Sequence, residues 1–342
     1  MACTDFQIRS QDGTVVVGRT MEFHLETKSM VVVHPRGEAF ASTAPGGMRG
    51  LSWISKYGFV AVTAYEDLGI NDGLNERGLS VGLLWLPETR YQDIGPKDAE
   101  RAVEIWDFCA WVLSSFATVE EVKVAIRSVH VWASAVRQIG MIPPLHVAVH
   151  DADGKNLVIE FIDGEGRVHD NPLGVLTNSP PFEWHITNLR NYVNVTSMDA
   201  KPVAMAGMTI QPTGQGSGFL GVPGDWTPPS RFVRTVMLIQ CADPPRTGRE
   251  GVNLAEHILN TVDIPLGDIK EKLDEKTMME GYTQWAVVKD LTNRIFYFRS
   301  YRNLTLRAID VNRLNLMPGA KKTKIPVSDT SEATVNVTND LL

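Results

Sequence analysis

Apolar and polar residues alternate at both ends of the chain, which is the pattern of β-strands that bury one face. Phe6 and Ile8 alternate with polar residues, and Val15-Val16-Val17 resumes an apolar run beyond them. Asp12-Gly13 lies between the two runs and is typical of a tight turn, so this stretch predicts a β-hairpin. Similar runs predict further strands at residues 29–34, 58–64, 78–86, 146–150, 156–161, 283–289, 295–300 and 304–309.

The middle of the chain changes to the period of an α-helix. The residues of segment 101–116 that fall on one helical face are Ile105, Phe108, Cys109, Val112 and Phe116. A second helix is predicted at 118–129, with Thr118 as its N-cap and Glu121 three residues later. Further helices are predicted at residues 182–193, 230–241 and 253–262. Paired strands at both ends with helices between them predict an α+β fold rather than alternating βαβ units.

The composition is that of an ordinary globular protein. The chain has 342 residues, of which 43% are hydrophobic and 21% are charged. No composition shift divides it clearly, so we expect a single domain over residues 1–319. From Ala320 onward the sequence is polar and has no period, which predicts a C-terminal tail over residues 320–342 that could wrap around a partner subunit.

Charge and hydropathy narrow the possible partners. The net charge of −7 argues against nucleic acid as a partner, and the absence of about 18 consecutive apolar residues argues against membrane insertion. Ala2 is the residue type that usually precedes a signal-peptide cleavage, although Met1-Ala2 could also be a cloning remnant. We therefore expect a periplasmic or secreted protein, with a cytoplasmic one as the alternative.

The position of Cys3 is the unusual feature among the three cysteines, Cys3, Cys109 and Cys241. Three cysteines imply no disulfide framework. If Cys3 became the first residue, its own α-amine, with an ordinary pKa of about 7.7–8.0, could act as the base for its thiol. The plain alternative is a structural cysteine in a first strand. The chemistry of an N-terminal cysteine requires neither a metal ion nor a cofactor, and none is predicted.

Three other patterns have simpler explanations. Gly216, Gly218 and Gly221 fit the spacing G-x-G-x-x-G, but no strand and helix flank them, so a loop is predicted. The segment from Asp151 to Gly154 resembles the start of a calcium loop but lacks the distant glutamate, so a hairpin turn is predicted. The pair His146 and His150 lies in a predicted strand, and ordinary core or surface histidines are expected rather than metal ligands.

Five ordered segments give the chain a resemblance to the choloylglycine hydrolase family, which includes bile salt hydrolases and penicillin V acylases. The likeness extends from Cys3 to about Val311. The segments are Cys3-Thr4, Gly18-Arg19-Thr20-Met21-Glu22, Asn75-Glu76-Arg77-Gly78-Leu79 with Leu84-Trp85-Leu86-Pro87, Val175-Leu176-Thr177-Asn178-Ser179-Pro180 with Asn188-Leu189-Arg190-Asn191-Tyr192, and Pro223-Gly224-Asp225 with Pro229-Ser230-Arg231-Phe232-Val233-Arg234. The resemblance implies the four-layer αββα sandwich of N-terminal nucleophile hydrolases and a homotetramer.

The resemblance also implies a role for each site residue. Cys3 attacks an amide carbonyl, and Arg19 lies by its thiol and lowers the thiol's pKa. Asn178 and the backbone N–H of Trp85 donate to the oxyanion, and Arg231 balances charge near the nucleophile. Taken singly, Arg19 could be a strand-edge charge, Asn178 a helix cap and Arg231 a surface residue in the first turn of a helix.

Three departures from the family pattern bear on function. Glu22 stands where the family usually has aspartate, which contacts the α-amine. Phe23 stands where tryptophan is frequent, and Trp85 replaces the asparagine of one large group of bile salt hydrolases, so both predict an apolar wall for the acyl part of a substrate. Met1-Ala2 must be removed before Cys3 has a free amine.

The expected function is hydrolysis of small-molecule N-acyl amides through a thioester on Cys3. Candidate substrates are bile salt conjugates, penicillin V and N-acyl homoserine lactones. The alternative is a catalytically silent binding protein of the same fold, in which the amine of Cys3 stays blocked.

Overall fold

Two large β-sheets face each other in the computed structural model, which describes residues 2–66, 68–272 and 277–328, together with 334, 337 and 338. The strands are β1 (Ala2–Arg9), β2 (Val15–Phe23), β3 (Met30–His34), β4 (Ala39–Ala44), β5 (Met48–Ile54), β6 (Phe59–Ala64), β7 (Gly69–Asn75), β8 (Ser80–Trp85), β9 (Ala102–Glu104), β10 (His130–Trp132), β11 (Leu145–His150), β12 (Asn156–Ile162), β13 (Glu165–Asp170), β14 (Val175–Leu176), β15 (Val203–Met205), β16 (Met208–Ile210), β17 (Ile269–Lys272), β18 (Met278–Asp290), β19 (Ile295–Ser300), β20 (Asn303–Asp310) and β21 (Thr323–Pro326).

The first sheet has the order β14-β1-β2-β18-β19-β20, with β17 paired to β18. The second has the order β13-β12-β11-β8-β7-β6-β3-β21. The neighbouring strands of both sheets are antiparallel, whereas β9 and β10 form a small parallel pair outside them. The remaining strands form two hairpins, β4 with β5 and β15 with β16.

Helices cover the outer face of each sheet. The α-helices are α1 (Ile105–Ser115), α2 (Val119–Ala125), α3 (Phe182–Asn188), α4 (Pro228–Cys241) and α5 (Gly248–Asn260). Short 3₁₀ helices span Pro45–Gly47, Pro96–Arg101, Ile126–Ser128, Leu189–Tyr192, Ser217–Phe219 and Val311–Arg313. Helices α4 and α5 pack on the first sheet, and α1 and α2 pack on the second. Among the described residues, none of the helices has the length and apolar character that a membrane crossing requires.

Alternation along β6 shows how the two layers of core form. Val60 and Val62 pack with residues of the first sheet, whereas Phe59 and Ala61 pack with α1. Because both faces of such a strand are covered, its residues read as a nearly continuous apolar run. The predicted α+β class and the four-layer αββα arrangement are therefore confirmed.

The predicted N-terminal hairpin is confirmed, and its register positions the site. In the β1–β2 pair, Cys3 lies opposite Met21 and Asp5 lies opposite Arg19. Cys3 and Asp5 are two residues apart, so their side chains point to the same face of the strand. The network of contacts described below shows that this face meets the second sheet.

Two predicted helix starts are wrong. The helix predicted from residue 101 begins at Ile105, because Ala102–Glu104 is a strand and the Glu104 carboxylate accepts the Trp106 N–H at 3.0 Å as a cap. The helix predicted from residue 253 begins at Gly248, where the Thr247 hydroxyl accepts the Glu250 N–H at 3.3 Å. The helix predicted at 182–193 ends as α-helix at Asn188 and continues as a 3₁₀ turn.

Thr118 caps α2 as predicted, accepting the Glu121 N–H at 3.2 Å. The segment around Gly216 and Gly218 is a loop with a single 3₁₀ turn, as predicted. The turn that ends at Gly154 joins β11 to β12, and the Gly154 N–H donates to the Asp151 carbonyl at 3.0 Å. That predicted hairpin turn is also confirmed.

Part of the predicted polar tail belongs to the second sheet. Within residues 320–342, Thr323–Pro326 pairs with β3 of the same chain as an edge strand. The expectation that this segment lacks regular structure is wrong for these four residues, because main-chain pairing needs no apolar period. Most of the tail after Ser328 lies outside the described residues, and the division at 319 stays a prediction.

Candidate active site

Cys3 lies at the wall of a pocket between the two sheets. The pocket encloses about 470 Å³, including its opening to solvent. Its walls are mainly apolar and aromatic, with Glu22, Asn71 and Thr27 as polar members. The other lining residues are Cys3, Met21, Phe23, Ala64, Tyr65, Leu83, Trp85, Trp106, Ile139, Pro143 and Leu145.

The backbone of Cys3 is held from two sides by residues distant in sequence. The Cys3 N–H donates to Asn178 Oδ1 at 2.8 Å, and Arg231 Nη1 donates to the Cys3 carbonyl at 2.5 Å. Arg231 Nη2 also donates to Asn178 Oδ1 at 2.7 Å. All three residues are at least 95% buried. These bonds fix where the nitrogen and carbonyl of Cys3 lie relative to the pocket.

Asn178 connects the nucleophile to the end of β8. Its Nδ2 donates to the Trp85 carbonyl at 2.7 Å, which uses one of the two amide hydrogens. The Leu86 N–H donates to the Pro144 carbonyl beside β11. Successive main-chain groups point to opposite edges of a strand, so the N–H of Trp85 points to the same edge as its carbonyl, toward Asn178. Asn178 is not a helix cap, since Pro181 precedes α3 in that position.

Arg19 is a fully buried cation diagonal to Cys3 across the hairpin. Its Nη1 donates to Asp72 Oδ2 at 2.8 Å and to the Asn71 carbonyl at 2.7 Å. Its Nη2 donates to the carbonyl of Leu83. Arg19 is therefore neither at a strand edge nor at the surface.

Opposing effects act on the pKa of the Cys3 thiol. Burial raises it above its ordinary value, and this effect outweighs the others. Arg19 lowers it, the Glu22 carboxylate raises it, and Arg231 lowers it. Arg19 thus acts in the predicted direction, but the net pKa of the thiol is raised, because burial removes the thiol from solvent.

Glu22 is a buried carboxyl with one unpartnered oxygen. The Thr283 hydroxyl donates to Oε1 at 2.7 Å, whereas Oε2 has no hydrogen-bond partner. Burial raises the pKa of Glu22 to about 7, against the opposing charge of Arg231 and the effect of the nearby Thr20 and Thr283 hydroxyls. Ala2 lies opposite Glu22 in the strand pair, so this carboxyl flanks the peptide that joins Ala2 to Cys3.

We expect the raised pKa of Glu22 to destabilise the unprocessed chain as pH rises. The folded carboxyl holds its proton up to about pH 7, whereas the unfolded one releases it near pH 4.5. Stability is therefore lost progressively between these two pH values, by roughly 3 kcal/mol, and is level above them. Chemical denaturation from pH 4.5 to 7.5 measures this slope, which Glu22→Gln should remove.

Glu26→Gln is the matched control, because it makes the same chemical change at an exposed position of the same segment. It should leave the slope in place. A slope that persists in Glu22→Gln would assign the pH dependence to other groups.

Several site residues were not found from the sequence. Asp72 and Lys289 form a buried ion pair behind Arg19, and Thr283 holds Glu22. The sequence does contain one sign of this ion pair. Lys289 lies on the same strand face as the apolar residues Trp285 and Val287, which predicts a buried charge at that position.

Three buried histidines support the site from behind. His146 Nε2 donates to the Thr177 carbonyl at 3.1 Å, and His185 Nε2 donates to the Asn178 carbonyl at 2.8 Å. Burial lowers the pKa of His185 to about 4. His150 pairs instead with Asp5 at 2.5 Å, so His146 and His150 face different partners. Across the residues that the structure covers, no three His, Cys, Asp or Glu side chains are grouped to hold a metal ion.

The structure brings the six predicted site residues and Phe23 together. Cys3, Glu22, Phe23 and Trp85 line the pocket, while Asn178 and Arg231 bond to the Cys3 backbone and Arg19 lies beneath it. Two facing sheets with helices outside and a cysteine at the start of the first strand define a hydrolase with the N-terminal nucleophile fold.

The chain belongs to the choloylglycine hydrolase family of linear amide C–N hydrolases, whose sequence model matches residues 3–336. It is 31% identical over 320 residues to a bile salt hydrolase/transferase from Clostridium perfringens (strain 13 / Type A), covering 92% of this chain and 94% of that protein. The crystal structure of a mutant conjugated bile acid hydrolase from Clostridium perfringens has a TM-score of 0.84 and 29% identity, over 98% of this chain and all of that one.

A penicillin V acylase from Agrobacterium tumefaciens has the same fold. It superposes with a TM-score of 0.77 at 25% identity, over 95% of this chain and 91% of that one. The family and its members fix the general activity: the protein is a hydrolase of linear amide C–N bonds.

Proposed function

We propose that the protein cleaves N-acyl amides with an apolar acyl part, using Cys3 as an N-terminal nucleophile once Met1 and Ala2 are removed. The observation that carries this proposal is the pocket of mainly apolar walls that opens on Cys3. Asn178 and Arg231 hold the backbone of the same residue from the other side. The nucleophile, its orienting groups and an acyl site thus adjoin one another.

The position of the Cys3 nitrogen supports a role for it as the base. Asn178 Oδ1 already accepts a hydrogen from this nitrogen at 2.8 Å and would accept one from a free amine as well. Glu22 Oε2 lacks a partner, and a protonated amine beside it would supply one. The α-amine of Cys3 takes the thiol proton as the sulfur attacks. It later gives this proton to the amine that leaves the substrate.

The oxyanion would form against two donors. One is the second hydrogen of Asn178 Nδ2, because the first is bound by the Trp85 carbonyl. The other is the Trp85 N–H, which points to the same side. Attack on the carbonyl forms a tetrahedral intermediate, the C–N bond breaks to give a thioester on Cys3, and water then hydrolyses that thioester.

The pocket walls favour apolar acyl groups. Phe23 packs edge-on to Trp85, with ring centroids 6.0 Å apart, and to Tyr65 at 6.3 Å. Bile salt conjugates, penicillin V and N-acyl homoserine lactones all carry an apolar acyl part, and all remain candidates.

Phe23→Ala should lower kcat/KM for amides with long or aromatic acyl groups by about 10–100-fold, because the acyl group loses apolar contact area. Acetyl amides, which do not reach this wall, should react at nearly unchanged rates. Amine release from a panel of the three candidate substrates and matched acetyl amides measures the difference.

Phe40→Ala, the same truncation outside the pocket lining, is the control and should not alter the acyl preference. Equal losses on acetyl and long-chain amides in Phe23→Ala would contradict a role in acyl selection.

Two further expectations remain proposals. Homotetramer formation is supported by the β15–β16 hairpin, which exposes four apolar side chains, Val203, Met205, Met208 and Ile210. Sedimentation velocity measures the assembly state.

Export to the periplasm or medium, with a cytoplasmic location as the alternative, is tested by fractionating the native host.

A further inference from the structure

Three charged side chains form a continuous chain of contacts in the layer behind Cys3. Arg19 Nη1 lies 2.8 Å from Asp72 Oδ2, and Lys289 Nζ lies 2.8 Å from Asp72 Oδ1. The side chains of all three are fully buried. Arg19 and Lys289 lie on the adjacent strands β2 and β18, while Asp72 reaches them from β7 in the other sheet.

The sequence makes room for this arrangement at one glycine. A Cβ atom on Gly82 would lie 2.7 Å from Arg19 Nη1 and 2.8 Å from Asp72 Oδ2. These distances are too short for non-bonded atoms, so the ion pair is packed directly on the backbone of β8. A larger residue at position 82 would therefore displace Arg19 or Asp72.

The charges of this triad do not cancel. Two cations and one carboxylate leave a net charge of +1 on three fully buried side chains. Three apolar residues of similar volume would usually stabilise the fold at least as well as a buried ionic triad, so stability alone does not explain these charges. Without Lys289, the Asp72 carboxylate would neutralise Arg19 and leave no excess charge beside Cys3. With Lys289 present, Asp72 is shared, and the field of one cation remains for the thiol.

Other charged groups face the same layer and do not change this count when Lys289 is altered. Asp5 is paired with His150 and also interacts electrostatically with Lys289 and Arg19, whereas Glu22 and Arg231 lie on the side of the Cys3 backbone. Cys109 approaches the triad from α1. Burial alone would lower the pKa of Arg19, but Asp72 raises it above its ordinary value, so Arg19 keeps its charge.

We propose that Lys289 and Asp72 are positioning residues for the nucleophile: with Arg19 they form a buried triad of net charge +1 that favours the thiolate of Cys3. This proposal rests on the proposed function, in which Cys3 is the nucleophile. Neither residue touches the substrate pocket. Both act through Arg19, Asp72 by direct contact and Lys289 through Asp72.

The test uses two variants that change the net charge of the triad in a known way. Lys289→Met is close in volume and lowers the charge to zero, so the pKa of the Cys3 thiol should rise by about one unit. The double variant Lys289→Met/Asp72→Asn returns the charge to +1 and should restore the thiol pKa. In it, Arg19 still donates to the carbonyls of Asn71 and Leu83.

The measurement is the rate of Cys3 alkylation by iodoacetamide against pH, followed by peptide mapping. Mapping separates Cys3 from Cys109 and Cys241, and the rate requires no turnover. Lys155→Met, at an exposed ion pair remote from the site, is the control and should leave the profile unchanged. The acid limb of kcat/KM should move with the alkylation profile.

An unchanged alkylation profile in Lys289→Met would overturn the proposal. So would a double variant whose profile stays displaced like that of the single one, because a purely structural lesion is not repaired by a second one. Neither result bears on whether Cys3 is the nucleophile, which the replacement of Cys3 decides separately.

Discussion

Replacement of Cys3 by alanine should lower kcat/KM for N-acyl amides by at least about 10⁴-fold. In the proposed mechanism the Cys3 sulfur forms the thioester. Among the described residues that line the pocket, Cys3 is the nucleophile whose backbone bonds to Asn178 and Arg231. Amine release from the best substrate of the panel measures the loss. The variant should bind acyl compounds, since the apolar walls of the pocket are unaltered.

Cys241→Ala is the matched control for this variant, because Cys241 lies half-buried at the end of α4 and outside the pocket. It should retain at least about half of the activity. Circular dichroism and thermal unfolding should show the same fold for both variants. Activity retained in folded Cys3→Ala would refute the mechanism and leave only the general amide hydrolase activity standing.

Chains that keep Met1 and Ala2 should be about 10²–10⁴-fold less active than chains that begin at Cys3. In the unprocessed chain the nitrogen of Cys3 belongs to a peptide bond, so it cannot accept the thiol proton. The comparison needs two preparations. In the first, Ala2 is deleted, so that Met1 alone precedes Cys3 and is removed on expression. In the second, the removal of Met1 and Ala2 is prevented. Intact mass assigns each N-terminus, and kcat/KM is then measured on the panel.

Acetylating the free amine of the processed form provides a control in which only the base is lost. Its activity should fall to that of the unprocessed chain. Equal activity of all three forms would contradict the amine as base. Retention of Met1 and Ala2 in the native host, together with ligand binding and no turnover, would favour the silent binding protein.

The family resemblance supplied Arg19 and Glu22, and the geometry of the predicted hairpin explains why they lie near Cys3. A turn at Asp12-Gly13 sets the register of the first hairpin, and that register brings Arg19 and Glu22 near Cys3. Contacts of this kind follow from the alternation of side chains along two strands that are close in sequence. The same reasoning predicted the C-terminal hairpin, in which β19 has the predicted bounds, whereas β18 begins at Met278 rather than at Thr283.

Long-range parts could not be derived from periodicity. Asn178 and Arg231 reach Cys3 across 175 and 228 positions of the sequence, and only the family resemblance joined them. Asp72 lies in a strand with Gly, Ile and Asn around it. These neighbours in sequence do not indicate that Asp72 pairs with Arg19 and Lys289 of the other sheet. Pairing between sheets depends on tertiary packing, which alternation along one strand does not specify.

Helix boundaries failed for a different reason. Ala102 is apolar and fits the period of the helix that follows, although Ala102 and Val103 pair with β10 as a strand. At α5, the apolar face was recognised only from residue 253, and the cap formed by Thr247 and Glu250 was overlooked. A serine or threonine followed three residues later by glutamate was the available signal.

The sequence positions of the site residues also govern its assembly during synthesis. Arg231 is added to the chain 228 positions after Cys3, and Thr283 is added later still. At roughly 5–20 residues per second, the thiol waits for at least about ten seconds before the groups that orient it exist. A nascent or truncated chain thus carries the cysteine without these partners, and the proposed site is complete only after Thr283 has been added.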